Sequence, residues 1–137
     1  MCPGRGGTGS YDRHGRSRRA DAFTYDDDLV PGDSHCLGSV GHHGSGQSIV
    51  TPIVHGLLPN HTYGAHAHVN ACRSTGAAAG GHVEQSATGG ANPENEIWLD
   101  FTTRDEGSGE AIAVHHCSFT GTQRPRSIVI HRDETGS

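Results

Sequence analysis

Short apolar stretches alternate with polar residues along the chain, each bounded by glycine, proline or asparagine, and none follows the 3.6-residue period of an amphipathic helix. Residues 48–55, SIVTPIVH, are β-branched and predict a strand. Pro52 has no N–H to give a neighbour, which points to an edge or irregular position for it. After a turn at Leu58, Pro59, Asn60 and His61, residues 62–69 read TYGAHAHV, a short alternating strand. Residues 97–103 predict the next strand, DEGSG at 105–109 turns it back into a strand over 110–119, and SIVIH at 127–131 is a compact apolar strand after a turn at 121–125. Between 26 and 48 the acidic triplet, Pro31 and many Gly and Ser residues leave room for one weak strand. Residues 71–93 form a long connection of Ala, Gly, Ser and Thr, and loops of that length inside a compact domain are generally functional. Several short strands with turn signals predict an all-β sandwich or barrel.

With 137 residues, an apolar fraction of 31% and 21 glycines, the chain can build one small core. Its apolar runs fall far short of the roughly 18 residues that cross a bilayer, so no membrane role is expected. All ten basic residues are arginine, and they are unevenly placed: five face a single Asp in residues 1–20, whereas the other five face fourteen acidic residues in the remainder. Such an acidic body repels phosphate backbones, and no nucleic-acid partner is expected. Residues 1–22, rich in Gly, Arg and Ser, read as a disordered tail ahead of a domain over 23–137. The tail has no apolar segment of the kind that directs secretion.

Twelve histidines are a heavy loading, and imidazole suits copper and zinc. His66 and His68 are two apart in a predicted strand, so both rings face one side. His82 follows Gly80 and Gly81 in the long connection, and His131 closes the last apolar strand. His42, His43, His115 and His116 read as surface residues. Cys2, Cys36, Cys72 and Cys117 are widely spaced without a CxxC, which leaves room for one disulfide and speaks against a zinc knuckle; Cys117 reads as a buried strand thiol.

The order G-x-H-x-H at 64–68, Cys72, a Gly-His at 81–82, a turn with Asp105 and Gly107, and RSIVIH at 126–131 resembles the copper/zinc superoxide dismutase family. The likeness is greatest to its actinobacterial secreted-type branch, through GLLPNHTYGAHAH and NPENEIWLDFTT, and it covers about residues 22–137. The resemblance implies an all-β, Greek-key eight-stranded barrel and copper held by His66, His68, His82 and His131. His82 matches the catalytic histidine that bridges copper to zinc in the family, and Cys72 matches the cysteine whose disulfide tethers the metal loop. It also implies superoxide as substrate, an antioxidant oxidoreductase activity, and an extracellular or cell-envelope location.

The departures matter equally. Residues 83–101 contain no histidine, so zinc is not expected and the chain resembles a copper-only variant. His82 then needs another partner for its second ring nitrogen, and Glu84, Glu94 and Asp100 are the candidates. The family's last strand, with its active-site arginine and second disulfide cysteine, has no counterpart after His131; Arg124, Arg126 and Arg132 lie too close to His131 to match that arginine. The expectation is therefore a truncated barrel with an open edge, Cys72 unbridged or paired with Cys36 or Cys117, a mobile metal loop and a low melting temperature. The alternatives are a non-catalytic copper-binding module on the same barrel or an inactive truncated member. A cupin, which also carries HxH on a strand, needs a Glu where this chain has Cys72 and Arg73.

Overall fold

A computed structural model describes residues 2–3, 22–28, 30–31, 33–43 and 46–136, apart from the side chains of Cys2, Pro3, Ala22, His42 and His43. Of the tail expected over residues 1–22, residues 1 and 4–21 lie outside these described parts, as does the surface placement of the His42 and His43 side chains. The strands are β1 (Cys2–Pro3), β2 (Ala22–Phe23), β3 (His35–His43), β4 (Gln47–His55), β5 (Thr62–His68), β6 (Phe101–Thr102), β7 (Gly109–Glu110), β8 (Ala113–His115) and β9 (Ser127–His131). Short 3-10 turns lie at Gly76–Ala79 and Gly121–Gln123, and no α-helix occurs among the described residues. The protein is all-β, and every strand pairing is antiparallel.

β3 and β4 form a nine-residue hairpin ladder from His35 opposite His55 to His43 opposite Gln47. The weak strand expected before residue 48 is thus a full partner. Its period-2 pattern is masked in the sequence by glycine and histidine, yet Cys36, Gly38 and Val40 turn inward while His35, Leu37 and Ser39 face out. β7 and β8 pair with the other edge of β4 and leave a gap at Pro52, so of the edge or irregular position expected from Pro52 the edge is overturned and the irregular one is found. The reason is local. Ala111 N–H donates to the Pro52 carbonyl at 3.2 Å, which shows that Pro52 turns its backbone polar side toward the gap between β7 and β8. In a strand a residue's N–H and C=O point to the same neighbour, so the missing N–H falls where the ladder is already interrupted.

The second sheet has the order β6-β5-β9. Val40, Val50 and Val54 of the first sheet meet Tyr63, Ala65, Ala67, Ile128 and Ile130 of the second in one core, which also takes in Val83, Ile97 and Leu99. Two sheets closed over a shared apolar layer form a sandwich. The strand expected over 97–103 is regular only at β6. Upstream of it, Ala67 N–H donates to Ile97 O at 3.1 Å and Leu99 N–H to Ala65 O at 2.7 Å, so the segment still lies along β5. β1 packs beside β9 and β3.

Cys72 is disulfide-bonded. Cys36 and Cys117 are free, so the expectation of an unbridged Cys72 or of a pairing with either of them is overturned. Burial pushes the Cys36 thiol up to about 12, well above its ordinary value. Cys117 is a half-buried free thiol at the margin of the core.

Candidate metal centre

β5 is buried on both faces after its first residue. Ala65 and Ala67 belong to the inter-sheet core, so alternation sends His66 and His68 to the opposite, outer face. There the long connection and the C-terminal segment cover them, leaving 6% and 7% of each residue exposed. β9 pairs Val129 with His66 and His131 with Gly64, which sets His131 diagonal to His66 on the same face. The connection returns antiparallel to β5: His82 forms a bridge with His68, and Val83 N–H donates to Ala67 O at 2.9 Å. Val83 thereby enters the core and His82, its neighbour, turns outward.

The structure brings the four histidines together. Ring centres are 4.3 Å apart for His66 and His82, 4.8 Å for His68 and His82, and 5.3 Å for His66 and His131. An ion about 2.0–2.1 Å from each ligating nitrogen lies roughly 3.2 Å from each ring centre, so two rings sharing it stand about 4.5 Å apart at right angles and about 6.4 Å apart when opposed. The His68–His82 and His66–His131 separations lie at the compact end of that span, and His66–His82, whose rings are stacked, falls just below it. Among the described residues, no group of three or more His, Cys, Asp or Glu side chains is placed so that it could hold a metal ion as it stands.

Proton accounting identifies the free lone pairs. His68 Nδ1 lies 2.9 Å from the Gly80 carbonyl, which can only accept, so Nδ1 carries the proton and Nε2 the lone pair. The Thr135 hydroxyl donates its single proton to Asp100 Oδ1 at 2.6 Å and therefore accepts from His66 Nε2 at 2.9 Å, leaving the lone pair on His66 Nδ1. His82 Nδ1 donates to Glu96 Oε2 at 2.8 Å, which leaves Nε2 unprotonated in the neutral ring. Among the described residues, the two buried side-chain atoms without a hydrogen-bond partner are His66 Nδ1 and His68 Nε2, the very atoms this assignment leaves as acceptors.

The electrostatics agree. Burial, followed by the charges of His82 and His131, pushes His66 down to about 4, and burial lowers His68 and His131 as well. These three rings are neutral at pH 7, the form that ligates metals. Burial alone would raise Glu96, but the Trp98 indole at 2.7 Å and the His82 ring hold its carboxyl below the usual range. Asp100 is lowered likewise against its own burial, by Thr135 and by the Ala65 N–H at 3.0 Å.

The partner of His82 is thus Glu96, and not Glu84, Glu94 or Asp100. Glu84 bridges Glu96 through the backbone, and Asp100 serves His66 through Thr135. The signal for Glu96 was present in the sequence: Glu96, Trp98 and Asp100 alternate with the apolar Ile97 and Leu99, which puts all three on the histidine side. Nothing in the sequence marked Thr135. His115, read as a surface residue, is instead 6% exposed and packed edge-on against Phe119 at 5.2 Å. His116 is exposed and meets Gln47 Nε2 at 3.1 Å. A cavity of about 490 Å³ borders the cluster, with His68, His131, Tyr25, Val129 and Arg132 in its wall.

No protein-family model matches the chain, and no curated protein matches it.

Proposed function

We propose that the protein is a copper-dependent superoxide dismutase on a Greek-key barrel of the copper/zinc superoxide dismutase type. The observation that carries this reading is the set of three imidazoles whose hydrogen bonds each occupy one nitrogen and leave the other as a lone pair: His66 Nδ1, His68 Nε2 and His82 Nε2. Their donor chemistry suits copper, and two of the three, His66 Nδ1 and His68 Nε2, are buried acceptors with no partner, which are costly unless something binds them. Copper bound there supplies a one-electron couple, through which one superoxide is oxidised to dioxygen and a second, with two protons, is reduced to hydrogen peroxide.

The chain's own groups divide the remaining work. His66, His68 and His131 orient the site, the first two held by Thr135 and by the Gly80 carbonyl. His82 keeps its Nδ1 proton on Glu96 and takes a second proton on Nε2, and the adjacent carboxylate stabilises the imidazolium so formed. Because Glu96 occupies the ring nitrogen that would face a second metal, the reading includes copper and no zinc.

One observation favours a second reading, copper binding without turnover. Arg132, the cation in the cavity wall, is spent on Asp133 at 3.1 Å, and an acidic body slows an anionic substrate. The experiment that separates the two is superoxide decay followed by pulse radiolysis, with copper and zinc content determined on the same sample. One copper per chain, no zinc and accelerated decay that His68→Ala abolishes support the dismutase. Copper without accelerated decay supports the binding module, and no retained copper overturns both.

A further inference from the structure

A second pair of imidazoles lies away from the His66 cluster, at the end of the first sheet. His35 and His55 are direct cross-strand partners, the last pair of the β3–β4 ladder. Both side chains are exposed on the outer face, and their rings are stacked at 5.0 Å between centres. We propose that His35 and His55 form a bidentate binding site for a divalent first-row cation such as Zn²⁺, with water completing its shell.

Geometry and donor chemistry both support the assignment. Residues directly opposite across two strands hold their Cβ atoms about 4.5–5.5 Å apart, so the ladder itself brings two donors to one ion. The rings stand 5.0 Å apart and stacked, with 26° between their planes, so their in-plane lone pairs do not point at one spot as they lie; a turn of the exposed His55 ring brings both nitrogens to one ion over that separation. The backbone beside the pair is locked, because the Ser34 hydroxyl donates to the Gly56 carbonyl at 2.6 Å, immediately beyond both histidines. His35 Nδ1 donates to the Asp33 carbonyl at 3.3 Å, which leaves its Nε2 as the lone-pair nitrogen. Glu106, whose carboxyl is held below its usual range chiefly by the Ser108 hydroxyl, also lies within electrostatic reach of His55 and adds negative charge nearby. None of these groups contacts the His66 cluster, so the inference does not depend on the dismutase reading.

The test is a Zn²⁺ titration of the whole chain, read residue by residue from the imidazole ring proton signals. His35 and His55 shift together along one saturable curve, at lower Zn²⁺ than the exposed single ring of His116, which provides the internal reference. His55→Ala raises the Zn²⁺ concentration needed to shift His35 by about tenfold or more, because the second donor acts at high effective concentration. His35→Gln does the same to His55. Both positions are exposed, and an unchanged far-ultraviolet spectrum confirms that each variant is folded. If His35 and His55 titrate on separate curves, or if His55→Ala leaves the His35 curve in place, the site is overturned.

Discussion

Replacing Gly64 with alanine would turn the C-terminal segment away from the candidate metal centre. A Cβ on Gly64 would lie 2.6 Å from the Asp133 carbonyl oxygen, 3.0 Å from Thr135 N and 3.1 Å from Thr135 Oγ1. The first of these is backbone and cannot swing aside. Relief requires residues 133–135 to lift, which breaks Gly64 N–H to Asp133 O at 2.9 Å and pulls Thr135 from Asp100 and from His66. Two or three of these four bonds at about 1 kcal/mol each amount to about 2–3 kcal/mol. Alanine in an extended position gains back about 0.5–1 kcal/mol through lower entropy of the unfolded chain. The net expectation is a loss of about 1–3 kcal/mol in urea unfolding of the metal-free protein. Gly41→Ala is the control at another strand glycine, because its Cβ meets nothing within 4 Å, and it should be neutral or slightly stabilising. His66 would also lose the hydroxyl that orients it, so copper affinity should fall about 10–100-fold. Equal stabilities for the two variants, or unchanged copper affinity in Gly64→Ala, would refute the placement of the C-terminal segment over His66.

Three further outcomes follow from the same contacts. Glu96→Ala leaves the His82 Nδ1–H and Trp98 Nε1–H without their acceptor and should cost about 1–3 kcal/mol in chemical unfolding, whereas Glu96→Gln should cost less because one amide oxygen still accepts. Stability of the metal-free protein should fall on acidification. His66 has its folded value pushed down to about 4 from an ordinary 6.5, so its contribution is intact above about pH 6.5 and is lost as the unfolded chain takes up the proton between 6.5 and 4, in all by roughly 3 kcal/mol. His68 and His115 are lowered by burial and act in the same direction, and a flat profile of denaturation midpoint from pH 7 to 4 would contradict this. Reduction of the Cys72 disulfide should lower stability by about 2–4 kcal/mol in calorimetry, and no change in the melting curve would show that the bridge restrains nothing.

Where the sequence reading succeeded, the local pattern and the tertiary environment agreed. TYGAHAH alternates and SIVIH is a compact apolar run, and β9 pairs along its whole length with Gly64 to His68 of β5, which carries His66, His68 and His131 to one face. β3 was underestimated because a nine-residue strand made largely of Gly, His and Ser has little intrinsic strand preference and is held by its partner β4. Of the two positions that Pro52 allowed, edge or irregular, the second holds: β4 is central, and β7 and β8 leave a gap at that residue. Of the site, the imidazoles were legible from spacing, whereas Glu96 was passed over for acidic residues near it. The role of Thr135 and the bridging of Cys72 depend on long-range placement of the chain, which no periodicity encodes.

The central claim is that His66, His68 and His82 are set as copper ligands by the protons on their other nitrogens. Long-range proton–nitrogen correlation spectra of the imidazoles, recorded on the metal-free and Cu(I)-loaded protein, test it directly. The account predicts protonated Nε2 in His66 and protonated Nδ1 in His68 and His82 before loading, and a copper-induced shift confined to the opposite nitrogen of each ring and to His131. The reverse tautomer in His66 or His68, or copper shifts that bypass these rings, would contradict it.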